Sequence, residues 1–407
     1  MAIDINETLD LIYKHIKPVG YEIVPIEAAV GRISAIQLKA TYALPRFNNS
    51  AMDGYGVKID DKTKTVKVID TILAGSSKQT DINSCEVIKI MTGARVPSSV
   101  EAIVPYEDVE ILDENNIILP KNIKQNQHIR FIGEDVNVDD MVVDIAQEIN
   151  FAVITLLVSQ GITHIKVYQK PKIVVFASGE ELKLHYDKTI EPYQLFNSNT
   201  PTLSARAIEL GCDVRFVGLA RDSVEGLKEL ILNSLDANMI ITSGGVSVGD
   251  ADFTQEAFEQ MGIETIFQGI KIKPGKPTIL GKIGNTAILN LPGNPLAASS
   301  IFELFGKIII QILSGTKEIY HNTIKAKLQE DLPNKKGRPT VIVGFFDGEY
   351  FTPSQKRSPG MVSVLANCNS MILLEDSVEF IAKDSVVEVL PINWKFFTKK
   401  YKNILTK

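Results

Sequence analysis

Between Lys172 and about residue 315, runs of β-branched residues alternate with stretches of helical periodicity, which restricts the region to an α/β layer with a largely parallel sheet. Strands are expected at Lys172 to Ala177, Asp213 to Leu219, Met239 to Thr242 and Thr286 to Asn290. The helices between them are expected at about 200–211, 223–235, 254–262 and 295–313, with a hairpin between Glu264 and Lys282. Ligands of such sheets bind beyond the carboxyl ends of the strands, where the following helices point their N-termini. The chemistry is therefore expected at the four strand exits.

The flanks read differently. Residues 1–43 open with Ile5, Leu9, Ile12 and Ile16 at helical spacing, and residues 136–170 return to helical periodicity. Between them, residues 44–135 carry short β-branched runs separated by Gly, Asn, Asp and Pro, the pattern of an all-β insert. The expected organisation is an interrupted N-terminal domain (1–43 and 136–170), an inserted β domain (44–135) and the α/β domain (171–317). A small C-terminal β barrel or sandwich (318–391) and a basic tail (392–407) follow. The fold class is multidomain α/β plus β.

Composition narrows the partners. The chain of 407 residues carries 43 basic and 49 acidic side chains, a net charge of −6, so no whole-chain basic field exists for a nucleic acid. Three distant cysteines, Cys85, Cys212 and Cys368, match neither a disulfide framework nor a zinc ribbon, which fits a reducing cytoplasm. The N-terminus lacks a signal-peptide pattern. The longest apolar run, Ile301 to Leu313, is broken by Glu303, Gly306, Lys307 and Gln311 and reads as a buried helix rather than a membrane span.

The third exit, Ser243-Gly244-Gly245-Val246-Ser247-Val248-Gly249-Asp250-Ala251-Asp252, is the most informative. Its glycines let backbone N–H groups approach an oxyanion, and the carboxylates that follow are hard oxygen ligands suited to Mg²⁺ on a phosphate ester. The other exits carry Ser178-Gly-Glu-Glu181, Arg221-Asp222-Ser223 and Leu291-Pro292-Gly293-Asn294-Pro295. Taken singly these have plain structural readings: Asp222 with Glu225 as a capping box, Asp252 as a cap near Thr254, Asn294-Pro295 as N-cap and first helical residue. Their convergence on one edge favours a site. Lys271-Ile-Lys273-Pro-Gly-Lys276-Pro277 is either a solvated basic turn or a stiffened turn aiming ammonium groups at an anion.

Rival motifs fail. Gly245-Val-Ser247-Val-Gly249 has the form of a nucleophile elbow, but His321 is the single histidine downstream. The segment from Gly275 to Lys282 has the wrong spacing for a P-loop and ends in Ile283. The histidines at 15, 128, 164, 185 and 321 show no ligand spacing.

Six segments taken in order resemble the molybdopterin molybdenumtransferase family, the MoeA proteins and the E domain of gephyrin. They are Asn49-Ser-Ala-Met-Asp-Gly-Tyr55, Met91-Thr-Gly-Ala94, Gly133-Glu-Asp135, Ser243-Gly-Gly-Val-Ser-Val-Gly249, Lys273-Pro-Gly-Lys-Pro277 and Leu291-Pro-Gly-Asn-Pro295. The resemblance implies a cytoplasmic homodimer with a central MogA-like three-layer α/β domain and its site at the subunit interface. It also implies other molybdenum cofactor biosynthesis proteins as partners. The implied reaction takes adenylylated molybdopterin and molybdate, cleaves the phosphoanhydride with Mg²⁺, and yields molybdenum cofactor and AMP. Because the pterin dithiolene supplies the soft ligands for molybdenum, the protein needs no Cys or His cluster.

By the same analogy Glu181, Asp222, Asp250 and Asp252 handle Mg²⁺ and the phosphoanhydride, and Ser243, Gly244, Gly245, Ser247 and Gly249 hold the pterin side or phosphate. Asp53, Thr92, Arg130 and Asp135 complete the site across the dimer. Lys273, Lys276, Arg338 and Ser358 contact molybdate, and Pro292 and Pro295 shape the pocket floor. The chain departs from the family at Glu180, where a shorter carboxylate is common, and at Ala297, where a hydroxyl residue is common. Two other functions share parts of this pattern: a molybdopterin adenylyltransferase and a non-catalytic gephyrin-like scaffold. The tail is read as a solvated terminal helix or a membrane or partner contact, with five lysines and interleaved Trp394, Phe396 and Phe397.

Overall fold

The computed structural model describes residues 2–220, 223–244, 251–394 and 405, with the side chains of 251–253 excepted. The α/β region builds one six-stranded sheet from β1 (Lys172–Ser178), β2 (Asp213–Ala220), β3 (Met239–Ser243), β4 (Glu264–Gln268), β5 (Ile279–Ile283) and β6 (Thr286–Leu291), in the order β2-β1-β3-β6-β5-β4. The first four strands are parallel, and β4 and β5 form the expected antiparallel hairpin. The order reverses beside β1, and such a reversal opens a crevice at the carboxyl ends.

Alternation along the strands explains the three layers. Ile173 and Val175 of β1 join one buried cluster, while Val174 and Phe176 join another on the opposite face. Helices α1 (Ile5–His15), α2 (Asn199–Glu209), α5 (Pro295–Ile301) and α6 (Lys307–Leu313) cover the first face; α3 (Val224–Leu232) and α4 (Ala251–Gln260) cover the second. The apolar stretch Pro295–Leu313 is long and apolar enough to cross a membrane by length and composition, but it lies mostly buried in this core.

Several local expectations are corrected. Helix α1 belongs to the α/β core: Ile12, and Ile16 just past the helix end, join the buried cluster that holds Ile173, Phe267 and Ile309. The separate core of the interrupted N-terminal segments is built from Val24, Ile26, Ala40, Val142, Ile149, Leu157 and Val167. The expected single helix 295–313 is interrupted by a π-helical turn, Phe302–Gly306. Ser223 caps α3 by accepting from the Gly226 N–H, the role expected of Asp222. Helix α4 begins at Ala251, so Asp252 lies inside its first turn rather than before it. Asn294 occupies the N-cap position of α5 without a side-chain capping bond.

The insert forms a six-stranded sheet in the order Ala102–Pro105, Gly54–Val57, Glu86–Ile90, Thr65–Ile72, Asn116–Ile118, Glu110–Ile111. The C-terminal region closes a five-stranded barrel from Ile324–Leu328, Tyr350–Pro353, Thr340–Phe346, Ser370–Leu374 and Val386–Pro391. Its strand Thr340–Phe346 serves two cores at once: Val341 and Val343 face the α/β cluster while Ile342 faces the barrel interior. At the barrel rim Trp394 stacks on Phe346, 5.2 Å between ring centroids, and donates to Ser370 Oγ at 3.1 Å. Beyond Trp394 the basic tail, Leu405 apart, lies outside the described residues.

Candidate active site at the strand exits

Strand register brings the exits to one level. Ser178 pairs with Ala220, Ala177 with Ser243, and Ser243 with Leu291, so β1, β2, β3 and β6 end side by side. Gly244, the first residue beyond β3, has φ +98°, and a Cβ there would sit 2.3 Å from the Ser178 carbonyl oxygen. No L-residue side chain fits that approach. A Cβ on Gly293 would stand 3.6 Å from the Gly244 Cα, so the first, third and fourth exits touch through glycine backbone. The Gly244 N–H donates to the Leu291 carbonyl at 3.2 Å.

One residue not anticipated from the sequence holds these exits together. Asn199, in the first turn of α2, donates from Nδ2 to Ser243 Oγ and to the Gly293 carbonyl, both at 2.7 Å. Ser243 Oγ in turn donates to the Pro292 carbonyl at 3.2 Å. Asn197-Ser198-Asn199 stands just before the helix expected at about 200–211, a place where asparagine is ordinary. Asn197 bonds Thr200, which leaves Asn199 available for the exits. Asn199→Ala is expected to cost about 1–3 kcal/mol, because it removes two bonds and leaves polar groups unmet. Chemical denaturation measures the stability change, and a loss of activity under conditions where the variant stays folded shows a role in the site as well. Behind the exits the paired Thr242 and Asn290 are buried, and Thr242 Oγ1 and Asn290 Oδ1 have no hydrogen-bond partner among the described residues.

Of the proposed metal ligands, Glu181 is exposed just beyond β1, with both carboxylate oxygens over Gly179. Asp222, Asp250 and the side chain of Asp252 lie outside the described residues, as do Gly245, Ser247 and Gly249. Among the described residues no group of three or more His, Cys, Asp or Glu is placed to hold a metal. The one candidate ligand with a described side chain, the exposed Glu181, offers a hard carboxylate oxygen of the kind Mg²⁺ takes alongside phosphates and waters.

The residues expected to contact the oxyanion come from two domains. Lys273 donates its N–H to the Pro339 carbonyl at 2.9 Å and accepts at its carbonyl from the Val341 N–H at 2.8 Å. This bridge brings Lys273 beside Arg338, and both side chains are exposed, as is Lys276. The turn is seated by Gly275, φ +122°, whose added Cβ would lie 2.2 Å from Ile301 Cδ1 of α5. From the barrel side the Pro359 carbonyl accepts from the Leu296 N–H at 2.9 Å, which places Ser358 near the start of α5, where Pro292 is buried and Pro295 half-buried.

The insert residues form a separate exposed group. The segment Asn49–Asp53 is held between 91–94 and 128–130: the Ser50 N–H donates to the Ala94 carbonyl, the Ala51 N–H donates to the His128 carbonyl, and Asn49 pairs with Arg130. Asp53 Oδ1 accepts from the Thr92 N–H at 2.7 Å and from Thr92 Oγ1 at 2.8 Å. These two donors, the backbone first, hold the Asp53 carboxyl below the usual aspartate range. Asp135 lies further on, its N–H donating to the Leu44 carbonyl at 3.0 Å.

Three regions of the chain match known families. Residues 3–161 match the MoeA N-terminal region (domain I and II), residues 174–311 a family described as probable molybdopterin binding domain, and residues 325–392 the MoeA C-terminal region (domain IV). The order of these regions defines a molybdenum cofactor biosynthesis protein whose molybdopterin-binding domain is framed by β-rich ends. A molybdopterin molybdenumtransferase of Staphylococcus epidermidis is 31% identical over 401 residues, 95% of each chain. One from Haemophilus influenzae is 32% identical over 385 residues, covering 92% of this chain and 95% of its own. The crystal structure of a molybdopterin biosynthesis MoeA protein from Pyrococcus horikosii superposes with a TM-score of 0.84 at 27% identity, over 97% of this chain and all of the other. The chain belongs to the molybdopterin molybdenumtransferase family and is an enzyme of molybdenum cofactor biosynthesis.

Proposed function

We propose that the chain inserts molybdate into adenylylated molybdopterin at the strand exits, in a Mg²⁺-dependent reaction that releases AMP. The observation that carries this reading is the common level of the four exits, with the lysine turn and the barrel loops seated beside the start of α5. The glycines let the backbones of the exits approach one another closely at Gly244 and Gly293, and Asn199 fixes the two exits relative to each other. Lys273, Lys276, Arg338 and Ser358 supply donors for a tetrahedral dianion, with the charge and fixed geometry such an ion requires. Glu181, Asp222, Asp250 and Asp252 would hold Mg²⁺, which would supply charge neutralisation at the phosphates.

The reading includes a cytoplasmic homodimer in which Asp53, Thr92, Arg130 and Asp135 of one subunit complete the site of the other. Three free cysteines fit a reducing compartment. Further partners are the proteins that deliver the pterin and receive the cofactor.

Purified protein incubated with adenylylated molybdopterin, Mg²⁺ and molybdate tests the reaction. AMP release with cofactor formation supports it; consumption of ATP supports an adenylyltransferase instead, and neither supports a scaffold. Shared sites predict complementation: inactive Asp53→Ala and Asp252→Ala chains, mixed and allowed to exchange subunits, should regain activity in the hybrids. Mixtures as inactive as their components would place Asp53 and Asp252 in the same site of one chain.

A further inference from the structure

Arg206 and Glu303 are far apart in sequence, and each occupies a costly position. Arg206 stands on α2 between the buried Leu203 and Ala207, and Glu303 lies in the π-helical turn inside the apolar stretch before α6. Their side chains are 18% and 9% exposed. Arg206 Nε donates to Glu303 Oε1 at 2.6 Å and Nη2 to Oε2 at 3.1 Å, a two-point pairing. Nη1 donates to Glu209 at 2.8 Å. Nη2 also donates to the carbonyl of Ile392 at 2.7 Å, just past the last barrel strand. One guanidinium therefore joins α2, the π turn and the barrel.

Packing closes much of the seam, since Val343 and Met371 join Leu203 and Phe302 in one buried cluster, but among the described residues a gap remains beside Arg206. A cavity of about 320 Å³ lies there, lined by Leu203, Arg206, Phe302, Glu303, Val343 and Met371 among others. Val343 belongs to the barrel strand whose first residue, Thr340, bridges to Lys273. Such a gap leaves side chains without contacts on one side and room to shift. The barrel is tied at the Lys273–Thr340 bridge and at the Leu296–Pro359 bond, and Arg206 supplies a tie on the cavity side. A buried pair of this kind contributes little net stability compared with apolar packing, so its effect is expected in geometry.

We propose that Arg206 is a positioning residue that locks the C-terminal barrel against the α/β layer, holding Arg338 and Ser358 beside the Lys273 turn and so setting the enzyme's affinity for molybdate. This rests on the reading of those residues as the oxyanion site. Arg206→Met should raise the KM for molybdate about tenfold or more, as small displacements of binding groups do, with the KM for adenylylated molybdopterin nearly unchanged. That variant also strands a buried carboxylate, so stability falls. The double variant Arg206→Met/Glu303→Met removes both charges and recovers stability, yet keeps the raised molybdate KM, because the Ile392 carbonyl still lacks its donor.

A double variant with a wild-type molybdate KM, or both KM values moving together with stability, overturns the proposal. Hydrogen exchange supplies a readout that needs no turnover. The Lys273 and Val341 amides, which bond across the bridge, should exchange faster in the double variant than in wild type, and unchanged protection contradicts the lock. If wild-type protein converts no substrate, the functional reading fails while the exchange result still judges the lock.

Discussion

Gly244→Ala should give a folded protein that releases AMP at less than about one-hundredth of the wild-type rate, since displacements near 1 Å cost factors of that order. The new methyl group meets the Ser178 carbonyl at 2.3 Å, and the backbone it sits on has φ +98°. The β1 and β3 exits must therefore separate or the backbone must turn, at about 2–5 kcal/mol when positive-φ strain and overpacking are added. Either movement breaks the short contacts that let Asn199 clamp Ser243 and Gly293. Circular dichroism and denaturation report the fold, and AMP release reports the site. A fully active Gly244→Ala enzyme contradicts the close-approach account.

Asp222→Asn and Asp252→Asn should each lower phosphoanhydride cleavage by about a hundredfold or more, because each removes a charge expected to hold a cation worth several kcal/mol to the transition state. Amide keeps the size of the side chain, so folding is spared. The Mg²⁺ concentration for half-maximal rate should rise in both variants, and a titration of rate against Mg²⁺ separates a ligand from a general base. Glu181→Gln should show a smaller effect in the same direction, since that carboxylate is exposed at the rim. Variants that fold and still cleave at the wild-type rate would remove these carboxylates from the metal assignment.

The strands of the α/β layer were legible because β-branched runs bounded by Gly and Asp have few alternatives, and the four exit segments followed from them. Helix α1 shows the limit of periodicity. Ile5, Leu9, Ile12 and Ile16 mark an apolar face, but nothing local says which core it covers, and it covers the α/β sheet. The π turn at Phe302–Gly306 has no local signal, since Glu303 and Gly306 break the apolar run without marking a change of hydrogen-bond register. Glu303 was legible only as a break in a greasy stretch; its partner Arg206 lies 97 positions away, beyond any local pattern. Asn199 was obscured because a helix start already accounts for asparagine. The lysine turn left two readings open, and its bridge to Thr340, a contact between domains, sets Lys273 beside Arg338.

The most direct test is a crystal structure of the protein with adenylylated molybdopterin and Mg²⁺. The account predicts the pyrophosphate lying over the exits of β1, β3 and β6, within contact of the Gly244 and Gly293 backbone, with the metal between it and the carboxylates that follow those strands. A nucleotide bound on another face of the sheet, with the exits and the lysine turn untouched, would contradict it.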